Sequence, residues 1–304
     1  MTTFEVIILG SMAALPFNGK ITSAQIVRYD NIFILVDCGE GTQMNLQKYR
    51  IPQNKISCIC ISHLHGDHIF GLPGLLSSFQ HSQRKDALFI FGPAGIKSYV
   101  EMIIQLTQQY ISFEIIIKEI DLSGKILIHS FPFFNMYSFP LDHRIETSGF
   151  LFVENLITTN IIKEVLHKYD LTIEQIKLLK AGKDVFLEDG TTLKNALLTK
   201  QYTSTRSYAY CSDTVYNEKT ITYIDSVFCL YHEATYLHHL LDKAIERKHS
   251  TAKQAAETAK KANVKKLIIG HFSSRYYDFN VLLEEARAVF PETYLALEGH
   301  TFSV

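Results

Sequence analysis

Short apolar runs separated by turn residues dominate the first third of the chain. Residues 4–9, 24–29 and 32–36 are rich in β-branched and aromatic side chains, and Asp30-Asn31 is a good tight turn between the last two runs. Residues 55–62 contain the unbroken apolar stretch Cys58-Ile59-Cys60-Ile61, which is typical of a strand buried on both faces. The pattern therefore predicts three short strands followed by a central one.

Helical and strand patterns alternate along the rest of the chain. The spacing predicts helices at about 68–80, 93–110 and 251–262, and the last carries a narrow stripe of alanines. Further apolar runs predict strands at 126–131, 136–141, 208–211, 227–231 and 266–269. Strands mixed with helices throughout indicate a layered α/β protein.

The segment 152–206 differs from its surroundings. It is more charged, and its apolar residues are less regular than those of the runs on either side. We interpret it as an insertion, or arm, within a main domain that spans residues 1–304. The alternative is a further pair of ordinary core elements.

Composition and cysteine usage indicate an ordinary globular protein. The chain has 304 residues, of which 47% are hydrophobic and 20% charged, enough to build a large core. We expect no signal peptide and no membrane span, because no basic start and no long uncharged apolar window are present. The five cysteines lie in or beside apolar runs, which favours buried free thiols and a reducing cytoplasm over disulfides or a zinc-thiolate site.

Charge gives a mixed indication about nucleic acid. The net charge of −1 argues mildly against such a partner. The stretch 243–266 nevertheless holds eight lysines and arginines against two glutamates, and it could contact phosphates. The alternative is a solvated helix face.

Several predicted strands end in residues that bind metals. The run before Ser62 leads into His63-Leu64-His65-Gly66-Asp67-His68, and three other runs lead into His143, Asp213 and His271. Neighbouring strands would gather these side chains on one rim of a sheet, where α/β folds usually place their sites.

The H-x-H-x-D-H spacing predicts two metals. On a tight loop His63 and His65 can hold one ion, and Asp67 and His68 can turn toward a second, with Gly66 relieving the crowding. His143 and His271 can supply one further ligand each, and Asp213 can bridge. Nitrogen and oxygen ligands suit zinc, manganese or iron, with zinc the default. Two adjacent metals make hydrolysis the natural reaction class. The remaining histidines are interpreted as ordinary surface or core residues: His81, His129, His167, His238, His239 and His300.

At these residues the sequence resembles the metallo-β-lactamase superfamily, and most closely its ribonuclease Z branch, whose members trim the 3′ trailer from precursor tRNA. Besides the histidine run, the resemblance rests on 37–43 (DCGEGTQ), 140–143 (PLDH), 212–214 (SDT), 232–235 (HEAT), 249–251 (HST) and 271–276 (HFSSRY). It implies an αββα sandwich with a tRNA-binding arm at 152–206, two zinc ions per subunit (or manganese), and a homodimer.

The resemblance also implies a role for each matching residue. His63, His65 and His143 match the ligands of the first metal. Asp67, His68 and His271 match those of the second, with Asp213 bridging. Three matches concern proton transfer: Asp67 takes a proton from the attacking water, His249 donates one to the leaving 3′ oxygen, and Glu233 orients the imidazole. Other readings are an exposed acid at a helix start for Glu233, and a residue just outside an N-cap at Ser250 for His249.

Two departures from the family concern the substrate. The early loop 15–22 contains no arginine, and the arm lacks the family's Gly-Pro turn, with 171–175 (LTIEQ) standing near its place. Within the arm, Lys180 and Lys183 are our candidates for tRNA contact.

The leading hypothesis is therefore a cytoplasmic zinc-dependent endoribonuclease that leaves a 3′ hydroxyl on tRNA. A related hydrolase of a small ester or phosphodiester would need no arm. A tRNA-binding module without activity would show lost ligands, whereas all seven are present.

Overall fold

The structure is a computed structural model that describes residues 2–155, 157–187, 189–203 and 206–304. The side chains of residues 157–159, 167 and 201–203 are also outside the description. The interpretations of His167 as an ordinary histidine, and of positions 156, 188, 204 and 205 as part of the arm, therefore concern residues outside the described set.

The described strands form two large sheets and two small ones. They are β1 Phe4–Gly10, β2 Ala24–Tyr29, β3 Ile32–Cys38, β4 Ile56–Cys60, β5 Leu88–Gly92, β6 Ile115–Glu119, β7 Ile126–Ser130, β8 Phe134–Leu141, β9 Thr147–Glu154, β10 Ile157–Ile161, β11 Val185–Phe186, β12 Thr192–Leu193, β13 Thr199–Thr203, β14 Ser207–Cys211, β15 Cys229–Glu233, β16 Lys266–Gly270, β17 Thr293–Leu295 and β18 Thr301–Ser303. The first large sheet has the order β18-β1-β2-β3-β4-β5-β6, and the second has the order β17-β16-β15-β14-β9-β8-β7.

The helices follow the amphipathic segments. They are α1 Thr42–Lys48, α2 Gly66–Ile69, α3 Leu72–His81, α4 Ile96–Leu106, α5 Lys163–Lys168, α6 Ile173–Lys180, α7 Asn195–Leu198, α8 Glu218–Tyr223, α9 Leu241–Arg247, α10 Ala252–Lys261 and α11 Asn280–Arg287, with short 3₁₀ turns at Gln53–Lys55 and His238–Leu240. Within the described residues, no helix is long and apolar enough to cross a membrane.

Each large sheet carries helices on its outer face. Leu46, Leu75 and Val100 from three helices share one buried core with Leu35 and Ile59 of the first sheet. On the second sheet, α10 packs against β15 and β16, and α11 packs against β17. Between the sheets, the Tyr210 hydroxyl on β14 donates a hydrogen bond to Asp37 at the end of β3, with 2.6 Å between the oxygens. The predicted αββα sandwich is confirmed.

The predicted helix over 68–80 is wrong at its start, because two helices share this segment. The amide of Gly71, between α2 and α3, donates to the carbonyl of Cys38 at 2.8 Å instead of continuing the first helix. A Cβ atom on Gly71 would come within 2.2 Å of the Gly39 carbonyl oxygen. This close approach of two backbones requires glycine.

Contacts divide the chain into two compact units. The first comprises Met1–Ser130, Met136–Phe152 and Arg206–Val304, and it contains the helices and most of the strands of the sandwich. The second comprises Phe131–Asn135 and Val153–Thr205, and its own small core consists of Val165, Leu179, Val185, Leu193 and Leu198. Its helix α6 begins at a capping box in which Thr172 and Gln175 bond each other's backbone amides.

Candidate metal centre and active site

The predicted ligands lie in the loops that follow four strands. Four of them lie directly after β4, where the apolar strand ends and the polar run 63–68 begins. Gly66 starts the short helix α2, which carries Asp67 and His68. The others follow β8, β14 and β16 of the second sheet: His143, Asp213 and His271. The structure brings all seven together in two groups of candidate ligands, and a third group, Asp213, His249 and His271, overlaps them.

The first group contains three imidazoles and one carboxylate. Nε2 of His63 is 3.0 Å from Nδ1 of His65, which is 3.3 Å from Nε2 of His143. Oδ2 of Asp213 is 3.6 Å and 3.7 Å from the Nε2 atoms of His63 and His143. Ligands about 2.1 Å from a tetrahedral zinc ion are separated by about 3.4 Å, so these four donors fit such an ion.

The second group uses the other oxygen of the same carboxylate. Oδ1 of Asp213 is 3.4 Å from Nε2 of His68 and 3.1 Å from Nε2 of His271. Oδ2 of Asp67 is 3.5 Å and 3.3 Å from the same two nitrogens. Asp213 therefore presents one oxygen to each group, which fits a ligand that bridges two ions.

Hydrogen bonds on the far side of the imidazoles fix how they point. Nδ1 of His143 donates to the carbonyl of Lys248 at 2.8 Å, and Nδ1 of His68 bonds Oδ2 of Asp37 at 2.7 Å. Nδ1 of His271 is 2.9 Å from the hydroxyl of Thr235. With the proton on Nδ1, Nε2 keeps its lone pair for a metal.

The buried Glu233 connects this centre to His249. Its Oε1 is 2.9 Å from Nδ1 of His249 and accepts from the amide of Thr214 at 2.8 Å. Its Oε2 accepts from the hydroxyl of Thr235 at 2.6 Å. Glu233 ends β15 and is 0% exposed, so the reading as an exposed helix-start acid is wrong. The N-cap of the next helix is Thr251, so the alternative reading of His249, which placed the N-cap at Ser250, is also wrong.

The histidines of the centre differ in the direction in which their pKa values are shifted. Burial lowers the pKa of His63, His65 and His143, which keeps them neutral and able to coordinate. Burial also acts on His249, but the charge and hydrogen bond of Glu233 outweigh it and raise the pKa of His249 to about 9. Of these four histidines, only His249 is held in its protonated form near neutral pH.

Three supporting groups were not predicted as site residues. Asp37 accepts from the amide and hydroxyl of Ser62 and from Tyr210, in addition to bonding His68. Thr235 and the Lys248 carbonyl orient two further imidazoles. Asp37 had a sequence signal, since it is a charged residue that directly follows the predicted strand 32–36. The Lys248 carbonyl had no sequence signal, because every residue carries a backbone carbonyl.

A cavity of about 460 Å³ opens onto the centre. His65, Asp67, Asp213, His249 and His271 all line it, so a substrate in the cavity would meet both groups of ligands and the Glu233–His249 pair.

The predictions for residues outside the centre can be compared with the structure one group at a time. All five cysteines are buried and free, as predicted. Of the basic stretch, Arg247 lines the cavity, whereas Lys261 pairs with Glu218. Lys180 and Lys183 are exposed in the second unit. The described groups of candidate ligands do not include His81, His129, His238, His239 or His300.

The chain is similar to curated proteins over its whole length. It is 40% identical to ribonuclease Z of Parabacteroides distasonis, with all of both chains covered. It is 43% identical to ribonuclease Z of Cytophaga hutchinsonii, covering 99% of this chain and 96% of the relative. The fold matches the crystal structure of the short form of human tRNase Z with a TM-score of 0.73 and 27% identity, covering 99% of each chain. A family model described as anti-Pycsar protein Apyc1 matches residues 4–99.

Proposed function

The chain belongs to the ribonuclease Z family, and from this premise we propose that it removes the 3′ trailer of precursor tRNA. The reaction hydrolyses one phosphodiester bond and leaves a 3′ hydroxyl on the tRNA. The observation that carries the proposal is the hydrogen-bonded pair of Glu233 and His249 beside two complete groups of metal ligands.

Two divalent ions, zinc by preference and manganese as an alternative, would be held by the two groups. His63, His65 and His143 would hold the first, and Asp67, His68 and His271 the second, with Asp213 bridging. The donors are all nitrogen or oxygen, and the spacing within each group fits. When bound, the ions neutralise charge on phosphoryl oxygens and favour deprotonation of water.

Asp67 is the candidate acceptor for the proton of the attacking water. Its Oδ2 accepts from the amide of Ala14 at 2.7 Å, and the carboxyl group lines the cavity. Burial raises the pKa of Asp67, but His68 and His271 outweigh it and keep that pKa below its usual value. The carboxyl group therefore stays ionised at neutral pH.

His249 is the candidate proton donor to the leaving 3′ oxygen. A departing alkoxide without a proton is costly, and a protonated imidazole offers one. Glu233 holds Nδ1 of His249, and the imidazole lines the cavity. The carboxylate thus orients the imidazole and keeps it protonated.

The second unit, which covers most of the predicted arm at 152–206, is the candidate tRNA-binding element. Lys163, Lys180 and Lys200 border one depression of about 720 Å³ within this unit, and Lys183 lies three residues beyond Lys180. Clustered lysines attract the phosphate backbone. We also propose a homodimer and a cytoplasmic location, the latter supported by the five free cysteines.

The test is cleavage of a precursor tRNA that carries a 3′ trailer, with zinc or manganese, followed by mapping of both new ends. A cut beside the discriminator nucleotide with a 3′ hydroxyl on the tRNA is expected. Absence of that cut with either metal contradicts the proposal. If a small phosphodiester is hydrolysed instead, and Lys180→Ala with Lys183→Ala leaves that rate unchanged, the chain is a small-molecule hydrolase.

A further inference from the structure

Phe70 is an exposed aromatic residue beside the catalytic loop. It follows α2 directly, and its side chain is 64% exposed. A Cβ atom built on Gly66 would come within 2.2 Å of Cε2 of Phe70, so the ring packs against the backbone of Gly66. That contact orients the ring and leaves most of its surface to solvent.

The ring forms part of the wall of the active-site cavity. Gly66 lies between His65 and Asp67, and all three residues line the cavity together with Phe70. An exposed phenylalanine on an ordinary surface needs no explanation. This one stands next to a candidate ligand of each group, where the nucleotides on either side of a scissile phosphate would lie.

Positive charge is available on the same cavity. Arg144 and Arg247 both line it, and both are exposed. Arg247 pairs with the exposed Glu246 at 3.4 Å. Arg144 makes no hydrogen bond or ion pair with any residue that the structure describes, so its five N–H donors are open to a phosphate.

We infer that Phe70 and Arg144 form a binding subsite for an unpaired nucleotide next to the scissile bond. Phe70 stacks on the base, and Arg144 binds a neighbouring phosphate. The inference rests on the proposed function, since it assumes an RNA 3′ end in the cavity.

Stacking suits this position for a physical reason. The end of an acceptor stem and its trailer are unpaired, so their bases can be splayed onto an aromatic side chain. Every base has a π-face, so a stacking platform accepts trailers of different sequence. Metal ligands alone would hold the phosphate without fixing the direction in which the chain leaves it.

Three variants of Phe70 distinguish the effect of base stacking on KM from the effect of apolar side-chain volume. Phe70→Ala is expected to raise KM for precursor tRNA by about 5- to 150-fold, the range for loss of one base–aromatic stack. Phe70→Leu keeps apolar bulk but has no π-face, so it should resemble alanine. Phe70→Trp should remain near the wild-type KM. Metal content and Tm should stay unchanged in all three variants, because the side chain is largely exposed.

Abasic substrates identify the stacked base. Precursors are made with an abasic nucleotide either at the discriminator position or at the first trailer position. On one of them the difference between wild type and Phe70→Ala should disappear, because the stack is already absent. An Ala variant with wild-type KM overturns the inference, as does a loss that persists on both abasic substrates. A loss that tracks dissociation of a dimer in sedimentation also overturns it.

Arg144→Gln tests the phosphate contact, with Lys85→Gln as a control of equal charge change at an exposed site. Arg144→Gln should raise KM and reduce the slope of log KM against log salt by about 0.7, as for one phosphate contact to a single strand. Lys85→Gln should leave both unchanged, and equal effects of the two variants exclude the contact. A wild-type chain that cleaves no precursor refutes the proposed function, whereas wild-type cleavage with unaffected variants refutes only the subsite.

Discussion

At the residue scale, Glu233 and His249 show how one buried carboxylate sets the protonation of its neighbour. Glu233 is 0% exposed, and its two oxygens bond His249, Thr214 and Thr235. Removing its charge would leave His249 buried without the interaction that raises its pKa to about 9. Two predictions follow from this pair, one for the rate of cleavage and one for the pH dependence of that rate.

His249→Ala should keep its metals and lose most turnover. The seven proposed ligands do not include His249, although its imidazole lies with Asp213 and His271 in a third group. Removal of a general acid typically costs about 10²- to 10⁴-fold in rate. The measurement is kcat on precursor tRNA together with metal analysis of the purified variant. His239→Ala, at an exposed histidine away from the centre, is the control and should retain full activity. Loss of metal from His249→Ala would make this residue structural instead.

Glu233→Gln should move the basic limb of the pH–rate profile to lower pH. A proton donor works below its pKa and fails as the pH rises through it, so activity that depends on His249 persists up to the raised value. Glutamine removes the charge that raises this pKa, and the limb should shift toward the ordinary histidine range near 6.5. Glu246→Gln, an exposed acid, is the matched control. An unchanged limb in Glu233→Gln would show that another group controls it.

The metal-binding residues could be predicted from sequence because their spacing is local. H-x-H-x-D-H fits within six residues, and each remaining ligand follows an apolar run that is a strand. Asp37 escaped prediction as a site residue because its partners His68 and Tyr210 are distant in sequence. Only the strand pairing and the facing of the two sheets bring these groups together.

At the element scale, the apolar runs predicted most strand positions, but the ends of elements depended on tertiary contacts. The strand at 24–29 has the predicted bounds, whereas the helix at 68–80 is interrupted where the Gly71 amide bonds Cys38. The acid Glu233 could belong to a strand end or a helix start by local pattern alone. Its burial beside His249 shows that Glu233 is not an exposed acid at a helix start, and this burial can be seen only in the folded structure.

The end of α9 connects the proton donor to the first group of ligands. Lys248 caps this helix in the left-handed conformation, with φ 58°, directly before His249. Its carbonyl accepts from His143, and its ammonium group pairs with Asp142 at 3.0 Å. One residue thus fixes both the imidazole of a ligand and the start of the loop that carries the donor.

At this cap the glycine variant should be more stable to unfolding than the alanine variant. Inside the helix the order should be reversed. Lys248→Gly relieves the left-handed strain and should be about 1 kcal/mol more stable to unfolding than Lys248→Ala. At Lys243 inside the same helix, the alanine variant should be more stable than the glycine variant by about 1 kcal/mol. Urea unfolding of the four variants measures both differences. Equal stability of Lys248→Gly and Lys248→Ala would show that the backbone relaxes at this cap.

At the scale of the whole molecule, the metal centre joins the two sheets of the sandwich. The loop after β4 in the first sheet supplies His63, His65, Asp67 and His68, and the second sheet supplies His143, Asp213 and His271. A bound ion would therefore link elements far apart in sequence. Its binding energy would count toward the stability of the folded chain.

Removal of the metals should accordingly lower the Tm as well as abolish cleavage. At about 100 times Kd a ligand adds about 2.7 kcal/mol to stability, which for a chain of this size corresponds to a Tm shift of about 4 °C. Thermal unfolding is measured before chelation, after chelation and after zinc is restored, with magnesium-saturated chelator as the control. Asp213→Ala should show a smaller shift, because it lacks the carboxylate that contacts both groups. If chelation stops cleavage but leaves the Tm unchanged, the sheets are held together without the ions, and the Tyr210–Asp37 contact between them is the first alternative to examine.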